Sequence, residues 1–313
     1  MSILIHVGMP KAGSKSLQRN IFEKVTNINY LTSTDKVVKD ILYLNSFEFK
    51  NKYLENSINP NTNLNKKNTV LSCEALTDAE DQFIICDRLK QVFNNNVTIM
   101  LILRNQLDFI QSFYLQQLAG GVYVSFNTFL KQQFLNHQIS ILPKLNYYNL
   151  IKYYKNTFGS NNVKVILFEE LFQNKSNTNI EYEFFKEKFN INLKLIKDLK
   201  IQNISIPSQL VPLKCLSNFL FRYDGGLGKY DIGTRGINEK KPKRSIQYIN
   251  KQLSNRFFKN KFFLTLFEKK PLRISDEDKN MILKYFSNSN KKLENECNLN
   301  LKINNYPVNF FVQ

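Results

Sequence analysis

Histidine and cysteine are scarce in this sequence, and their placement excludes whole classes of chemistry. The four cysteines, Cys73, Cys86, Cys215 and Cys297, are widely spaced and form no C-x-x-C pair. Neither a zinc site nor a disulfide framework is indicated, and a reducing cytosol fits best. The two histidines are His6, inside an apolar run, and His137, after a helical pattern; both read as structural. Acid is short too, with 26 Asp+Glu against 44 Lys+Arg and a net charge of +18. That excess suits a polyanionic partner such as a nucleotide, an anionic glycan or a lipid surface. The bland alternative, in a chain rich in Lys, Asn and Ile, is solvated lysine without a partner. The N-terminus lacks a basic region followed by a long apolar stretch, and nowhere do about 18 apolar residues run together. A soluble or peripheral protein is expected.

What is present is the rhythm of βαβ units. In 313 residues, short apolar runs near 3–8, 28–33, 69–73, 97–103 and 163–168 alternate with helical patterns. The stretches "AEDQFIICDRLKQVF", "LDFIQSFYLQQL" and "LNYYNLIKYYKNTF" carry apolar residues at spacings of three and four with charges between them, as crossover helices do. The segment "NSINPNTNLNKKN" at 56–68 has almost no apolar content and reads as a solvated loop. From about residue 200 the strands stop, and basic, aromatic helical segments follow. The expected architecture is α/β, with a central parallel sheet of about five strands, a P-loop-like phosphate-binding loop and a helical C-terminal lobe. The chain is expected to be one domain over 1–313, with an α/β core over 1–200 and a basic helical lobe over 201–313.

The loop is "HVGMPKAGSKSLQ", residues 6–18, directly after the apolar "SILI". A strand followed by Gly8, Gly13 and small polar residues, then by a helical pattern, places backbone N–H groups at a helix N-terminus. Such amides and the helix dipole favour a phosphate. Lys11 and Lys15 add charge, while Ser14 and Ser16 add hydroxyls; the bland alternative is a Gly/Pro turn with exposed lysines. The register differs by one from G-x-x-x-x-G-K-[ST], since Gly13 is followed by Ser14 and only then by Lys15. The strand "VTIMLIL" ends in Arg104 rather than in a magnesium-binding Asp. A phosphate cradle is expected, but a magnesium-dependent nucleoside triphosphatase is not.

"GMPKAGSKSLQ" resembles the 5′-phosphosulfate loop of sulfotransferases, written P-K-x-G-[ST]-T-x-[LI]-Q in bacterial carbohydrate-type members. Lys15 departs from it, standing where a Thr or Ser is usual. "LILRNQLDFIQSFYLQQL" is similar to the family's 3′-phosphate segment, with Arg104 and Ser112 at the two phosphate-contacting positions and Gln106 in place of the usual Pro. The residues themselves make Asn105 and Asp108 an N-cap and N3 pair, put Asp108 and Ser112 on one stripe and bury Leu107, Ile110, Tyr114 and Leu118. A strand-end ion pair between Arg104 and Asp108 is the alternative role for Arg104. "VKVILFEELFQN" resembles the family's strand ending in an aromatic residue; Phe168 there either flanks adenine or belongs to the core. "SDEDKNMILKYFSNSNKKLENECNLNL" resembles the closing helix, with a capping box at Ser275 and Asp278.

The two phosphate motifs stand in the expected order, about ninety residues apart. The resemblance implies 3′-phosphoadenosine-5′-phosphosulfate as sulfonate donor, bound by Lys11, Ala12, Gly13, Ser14, Lys15, Ser16, Arg104, Ser112 and Phe168. It implies a saccharide hydroxyl or amine as acceptor, and no metal. Lys11 is placed to meet charge on the transferring group. For a general base, Glu74 in "TVLSCEALTD" ends an apolar strand, where loops surround ligands in parallel sheets; the alternative is an exposed acidic residue opening a helix. "TRGINEKKPKRS" gathers Arg235, Lys240, Lys241, Lys243 and Arg244, and "NRFFKNKFF" interleaves aromatics with cations. The latter suits glycan rings, a peripheral contact with the inner membrane face or RNA, or an amphipathic helix that is partly buried. Nucleic acid is not the expected partner. A P-loop kinase using Mg-ATP, and a non-catalytic basic binding protein on the same fold, stand as alternatives.

Overall fold

The computed structural model describes residues 2–26, 28–55, 68–78, 81–93, 97–136, 140–172, 206–220, 256–258, 260, 265–267 and 270–308. His137, the basic segment 235–244 and most of "NRFFKNKFF" lie outside them.

Five strands, β1 (Ile3–Gly8), β2 (Ile28–Leu31), β3 (Asn68–Cys73), β4 (Val97–Leu103) and β5 (Val163–Leu167), form one sheet in the order β2-β3-β1-β4-β5. Every pairing is parallel. Residues of β1 and β4 are buried along their whole length, which is why both read as unbroken apolar runs rather than as alternation. The expected five-stranded parallel sheet is therefore present. β2 stops two residues earlier than the apolar run suggests, because the Thr32 amide donates to Asp35 Oδ2 at 2.7 Å and turns the chain.

The helices are α1 (Ser14–Asn20), α2 (Lys36–Tyr43), α3 (Ser46–Lys50), α4 (Ala75–Asp78), α5 (Gln82–Phe93), α6 (Gln106–Gly120), α7 (Phe126–Leu135), α8 (Tyr147–Phe158), α9 (Phe168–Phe172), α10 (Val211–Leu220) and α11 (Asp276–Cys297). α5, α6 and α8 are the three crossover patterns of the sequence. On α6, Ile110, Tyr114 and Leu118 are buried as the spacing requires, while Leu107 is only half-buried. At the head of α11, Ser275 Oγ accepts from the Asp278 amide at 3.1 Å and donates to its carboxylate at 2.7 Å, which is the expected capping pair. No described helix is long and apolar enough to cross a membrane.

Contacts divide the chain into two compact units. The first comprises 1–105, 146–202 and 289–305 and holds the whole sheet; the second comprises 106–145, 203–288 and 306–313. Within the second, Tyr114 is fully buried against Phe126 and Phe129 and donates to the Val124 carbonyl at 2.9 Å. The Asn218 amide ties α10 to the end of α6 through the Leu118 and Val122 carbonyls, at 2.7 and 2.6 Å.

In the first unit the chain builds β2 and β3 on one side of β1, then crosses to β4 and β5 on the other. The connections leaving β1 and β4 run in opposite directions across the sheet, towards β2 and towards β5. Ligands of open parallel sheets bind at such switch points, beyond the carboxyl ends of the strands.

Candidate active site

Strand register decides which residues stand together at that edge. Val7 pairs with Cys73, Gly8 with Ile102 and Leu103 with Leu167. Glu74, Gly8, Arg104 and Phe168 thus emerge side by side from β3, β1, β4 and β5. Residues scattered over 160 positions of sequence meet along one edge because all four strands run the same way.

The loop from Gly8 to Ser14 is shaped by backbone. A Cβ on Gly8 would stand 2.6 Å from Ser14 Oγ, so the start of α1 can fold back over the strand end only above a glycine. Lys11 (φ 63°) and Gly13 (φ 81°) are both left-handed; for a lysine this costs roughly 1–2 kcal/mol. Gly13 is required twice over, since a Cβ there would also meet the Phe172 ring at 2.3 Å. The Ser16 and Leu17 amides donate to the Gly13 carbonyl at 2.9 and 3.2 Å, so helical bonding begins there. The amides just before them belong to the helix's first turn, which has no intrahelical acceptor.

The side chains around this loop divide clearly. Lys15 is exposed and Lys11 and Gly13 are half-buried, whereas Ala12, Ser14 and Ser16 are buried. Ser14 Oγ donates to the Met9 carbonyl at 3.2 Å, turning its proton into the loop. Beneath, His6 is fully buried on β1, with Nδ1 2.8 Å from Ser72 Oγ. Gln18 of α1 donates to that same hydroxyl at 3.1 Å, tying α1 to β3. Burial holds the His6 pKa down at about 3, so the ring is neutral and structural at physiological pH, as read from the sequence.

At the end of β4 the controlling groups are side chains. Arg104 donates from a terminal guanidinium nitrogen to the Lys11 carbonyl at 2.8 Å and lies 4.8 Å above the Phe168 ring centroid. Its own carbonyl accepts from Tyr147 Oη at 2.8 Å. The next amide, of Asn105, donates to Glu169 Oε1 at 2.9 Å. The Asn105 side chain donates to the carbonyls of Asn304 and Asn305, and Asn304 donates to Glu170 at 3.0 Å. Tyr147, fully buried beside Glu169, has its hydroxyl pKa raised by desolvation; it stays a donor. None of Tyr147, Glu169, Glu170 or Asn304 carries a local motif for this task, and only "FEEL" marked Glu169 and Glu170 at all.

Phe168 is buried, 3% exposed, and packs tilted against Phe172 at a centroid distance of 4.8 Å. A nucleobase reaches its face only if a covering side chain moves. Glu74 is half-buried in the turn after β3, and that turn is fastened to the loop because Thr77 Oγ1 donates to the Gly8 carbonyl at 2.7 Å. Ser112 lies half-buried on α6, in the second unit.

Residues 2–205 match the sulfotransferase domain family. The chain belongs to the sulfotransferase family. Its fold is similar to that of a crystal structure of a sulfotransferase from Alicyclobacillus acidocaldarius, with a TM-score of 0.52 over 97% of this chain and 98% of that one. At 12% identity this likeness concerns architecture. No curated protein matches the sequence. The match spans the loop, Glu74, Arg104 and Phe168 alike, so this chain is a sulfotransferase, an enzyme that transfers sulfonate.

Proposed function

We propose that this sulfotransferase takes its sulfonate from 3′-phosphoadenosine-5′-phosphosulfate and passes it to a hydroxyl or amine of a carbohydrate acceptor. The observation that carries the reading is the juxtaposition of a glycine-shaped loop after β1 with Arg104 at the end of the neighbouring strand, 2.8 Å from the Lys11 carbonyl. A donor bearing phosphate at both 5′ and 3′ positions needs two such anion-binding points. In this reading the amides of Gly13, Ser14 and Lys15 receive the 5′-phosphate. Arg104 recognises the 3′-phosphate, and the sequence resemblance adds Ser112 to that role.

During transfer the acceptor oxygen forms a bond to sulfur as the bond from sulfur to the 5′-phosphate oxygen breaks, and the electron pair stays on the departing nucleotide. Lys11 neutralises that growing charge, and Glu74 takes the acceptor proton. The saccharide, the cytoplasmic location and any contact with the inner membrane face belong to this proposal, which the basic composition supports. The kinase and the binding-protein alternatives lose their ground to the family match over residues 2–205.

Calorimetry tests the donor assignment. Adenosine 3′,5′-bisphosphate should bind at least tenfold more tightly than 5′-AMP, as charge-assisted hydrogen bonds to one extra phosphate supply about 1.5–3 kcal/mol. Arg104→Ala should close most of that gap. Equal binding of the two nucleotides by the wild type would refute the 3′-phosphate reading, and tighter binding of ATP with magnesium would restore the kinase.

A further inference from the structure

We infer that Arg104 is also the positioning residue for Lys11, so that holding the 3′-phosphate and placing the catalytic ammonium are tasks of one side chain. The inference rests on the function proposed above and goes beyond it. Lys11 is the non-glycine residue of the loop with a left-handed backbone, at φ 63°, and its carbonyl is the atom that Arg104 holds at 2.8 Å. A guanidinium carries several N–H groups in a fixed fork. One arm can therefore stay on the Lys11 carbonyl while others face a phosphate.

Arg104 is held from three directions, its guanidinium over an aromatic ring and its backbone on either side of the following peptide. Phe168 lies 4.8 Å beneath the guanidinium, Tyr147 holds the Arg104 carbonyl at 2.8 Å, and Glu169 holds the following amide at 2.9 Å. Phe168 and its packing partner Phe172 also crowd Gly13, at 3.3 and 2.3 Å from a Cβ built there. The aromatic pair under Arg104 and the bend that carries Lys11 are thus one packed unit. Displacing the guanidinium should release the peptide that aims Lys11, even when the ligand has no 3′-phosphate to read.

That last clause separates positioning from recognition. Adenosine 5′-phosphosulfate lacks the 3′-phosphate, so a purely recognising Arg104 is irrelevant to it. The slow transfer of its sulfonate to water, followed as 5′-AMP release, should fall about tenfold or more in kcat for Arg104→Ala, with a smaller change in KM. In a Lys11→Ala background the same substitution should do nothing further, because the effect passes through Lys11. Hydrogen exchange of the amides at 12–16 should quicken in Arg104→Ala with no ligand present. If that variant does not fold, Arg104→Lys, which keeps a cation but loses the fork, takes the same three measurements.

Unchanged kcat on adenosine 5′-phosphosulfate, unchanged exchange, or additive losses in the double variant would each overturn the inference. None of these outcomes touches the calorimetric gap between the bisphosphate and 5′-AMP, which judges the 3′-phosphate assignment by itself.

Discussion

The loop after β1 and the turn after β4 are neighbours at one sheet edge, yet they are held by different means. The bend of the loop is set by backbone, and side chains such as Thr77 and Arg104 then fasten to its carbonyls. Gly8 and Gly13 exist where a Cβ would strike Ser14 or Phe172, and positive φ angles at Lys11 and Gly13 bend the chain into α1. The turn is held by side chains that arrive from elsewhere. Tyr147 comes from the start of α8 and Glu169 from the first turn of α9, while the Asn105 side chain reaches out to the Asn304 and Asn305 carbonyls in the last residues of the first unit. A backbone device is written in consecutive letters, whereas a side-chain device is spread over 200 positions.

The contrast is sharpest at Gly13. Replacing it by Val imposes a left-handed β-branched residue, costing roughly 1–2 kcal/mol, and an overpacked contact with Phe172, costing about 1–3 kcal/mol. Together, denaturant unfolding should show a loss of about 3 kcal/mol. Adding Phe172→Leu should return only the packing part. Complete recovery in that double variant would mean the left-handed bend costs nothing, and the backbone account of the loop would fail.

His6 tests whether the loop's foundation is as rigid as its bend. Its folded pKa of about 3 lies below the unfolded value of 6.5. Between those values the unfolded chain binds one more proton than the folded chain, so stability is fully present above pH 6.5 and declines as pH falls towards 3. The slope is about 1.4 kcal/mol per pH unit, giving a loss of about 2 kcal/mol between pH 7 and pH 5. His6→Gln should lack this component. An identical pH dependence in the variant would show that protonation of His6 is tolerated in the fold.

At the β4 turn the expected effects are smaller and graded by what is left unsatisfied. Glu169→Ala removes a carboxylate acceptor from the buried Asn105 amide and should cost about 1–3 kcal/mol; Tyr147→Phe removes one donor to the Arg104 carbonyl and should cost about 1 kcal/mol. Both should also narrow the preference for the bisphosphate over 5′-AMP, whereas His6→Gln should not. A Tyr147→Phe protein that loses stability but keeps the full preference would separate the turn from Arg104's function.

This difference also explains what could be read in advance. The five strands were legible because both faces of β1 and β4 are buried, making their apolar runs continuous. The loop was legible because glycine spacing records backbone geometry directly, and Arg104 because it follows a strand. Tyr147 was not, since on α8 it reads as one more apolar-face residue of an amphipathic helix. Nor was the Arg104 contact with the Lys11 carbonyl, for a carbonyl acceptor has no side-chain signature. Phe168 stood open between core and ligand, and its burial at 3% places the ring beneath Arg104. The stretch "SLQRNIFEKV" at 16–25 reads as one helical pattern, but α1 closes at Asn20 and a 3₁₀ turn over Phe22–Lys24 follows.

The smallest effect belongs to Lys15, the one loop position that departs from the family pattern. It is exposed in the first turn of α1, a helix with no acidic residue there. A cation at a helix N-terminus opposes the dipole, so Lys15→Thr should stabilise the ligand-free protein by a few tenths of a kcal/mol, within the usual range of about 0.3–1 kcal/mol for such charges. The same substitution removes a charge from beside the bound 5′-phosphate, which should weaken 5′-AMP and the bisphosphate by similar small factors, about two- to fivefold by that magnitude. Turnover at saturating donor should be nearly unchanged, because an exposed flexible ammonium gives the ground state and the transition state much the same attraction. Thermal melting and calorimetry together check the two opposite signs. A large fall in kcat for Lys15→Thr would move the catalytic cation from Lys11 to Lys15, and with it the reason for Arg104 to hold the Lys11 carbonyl.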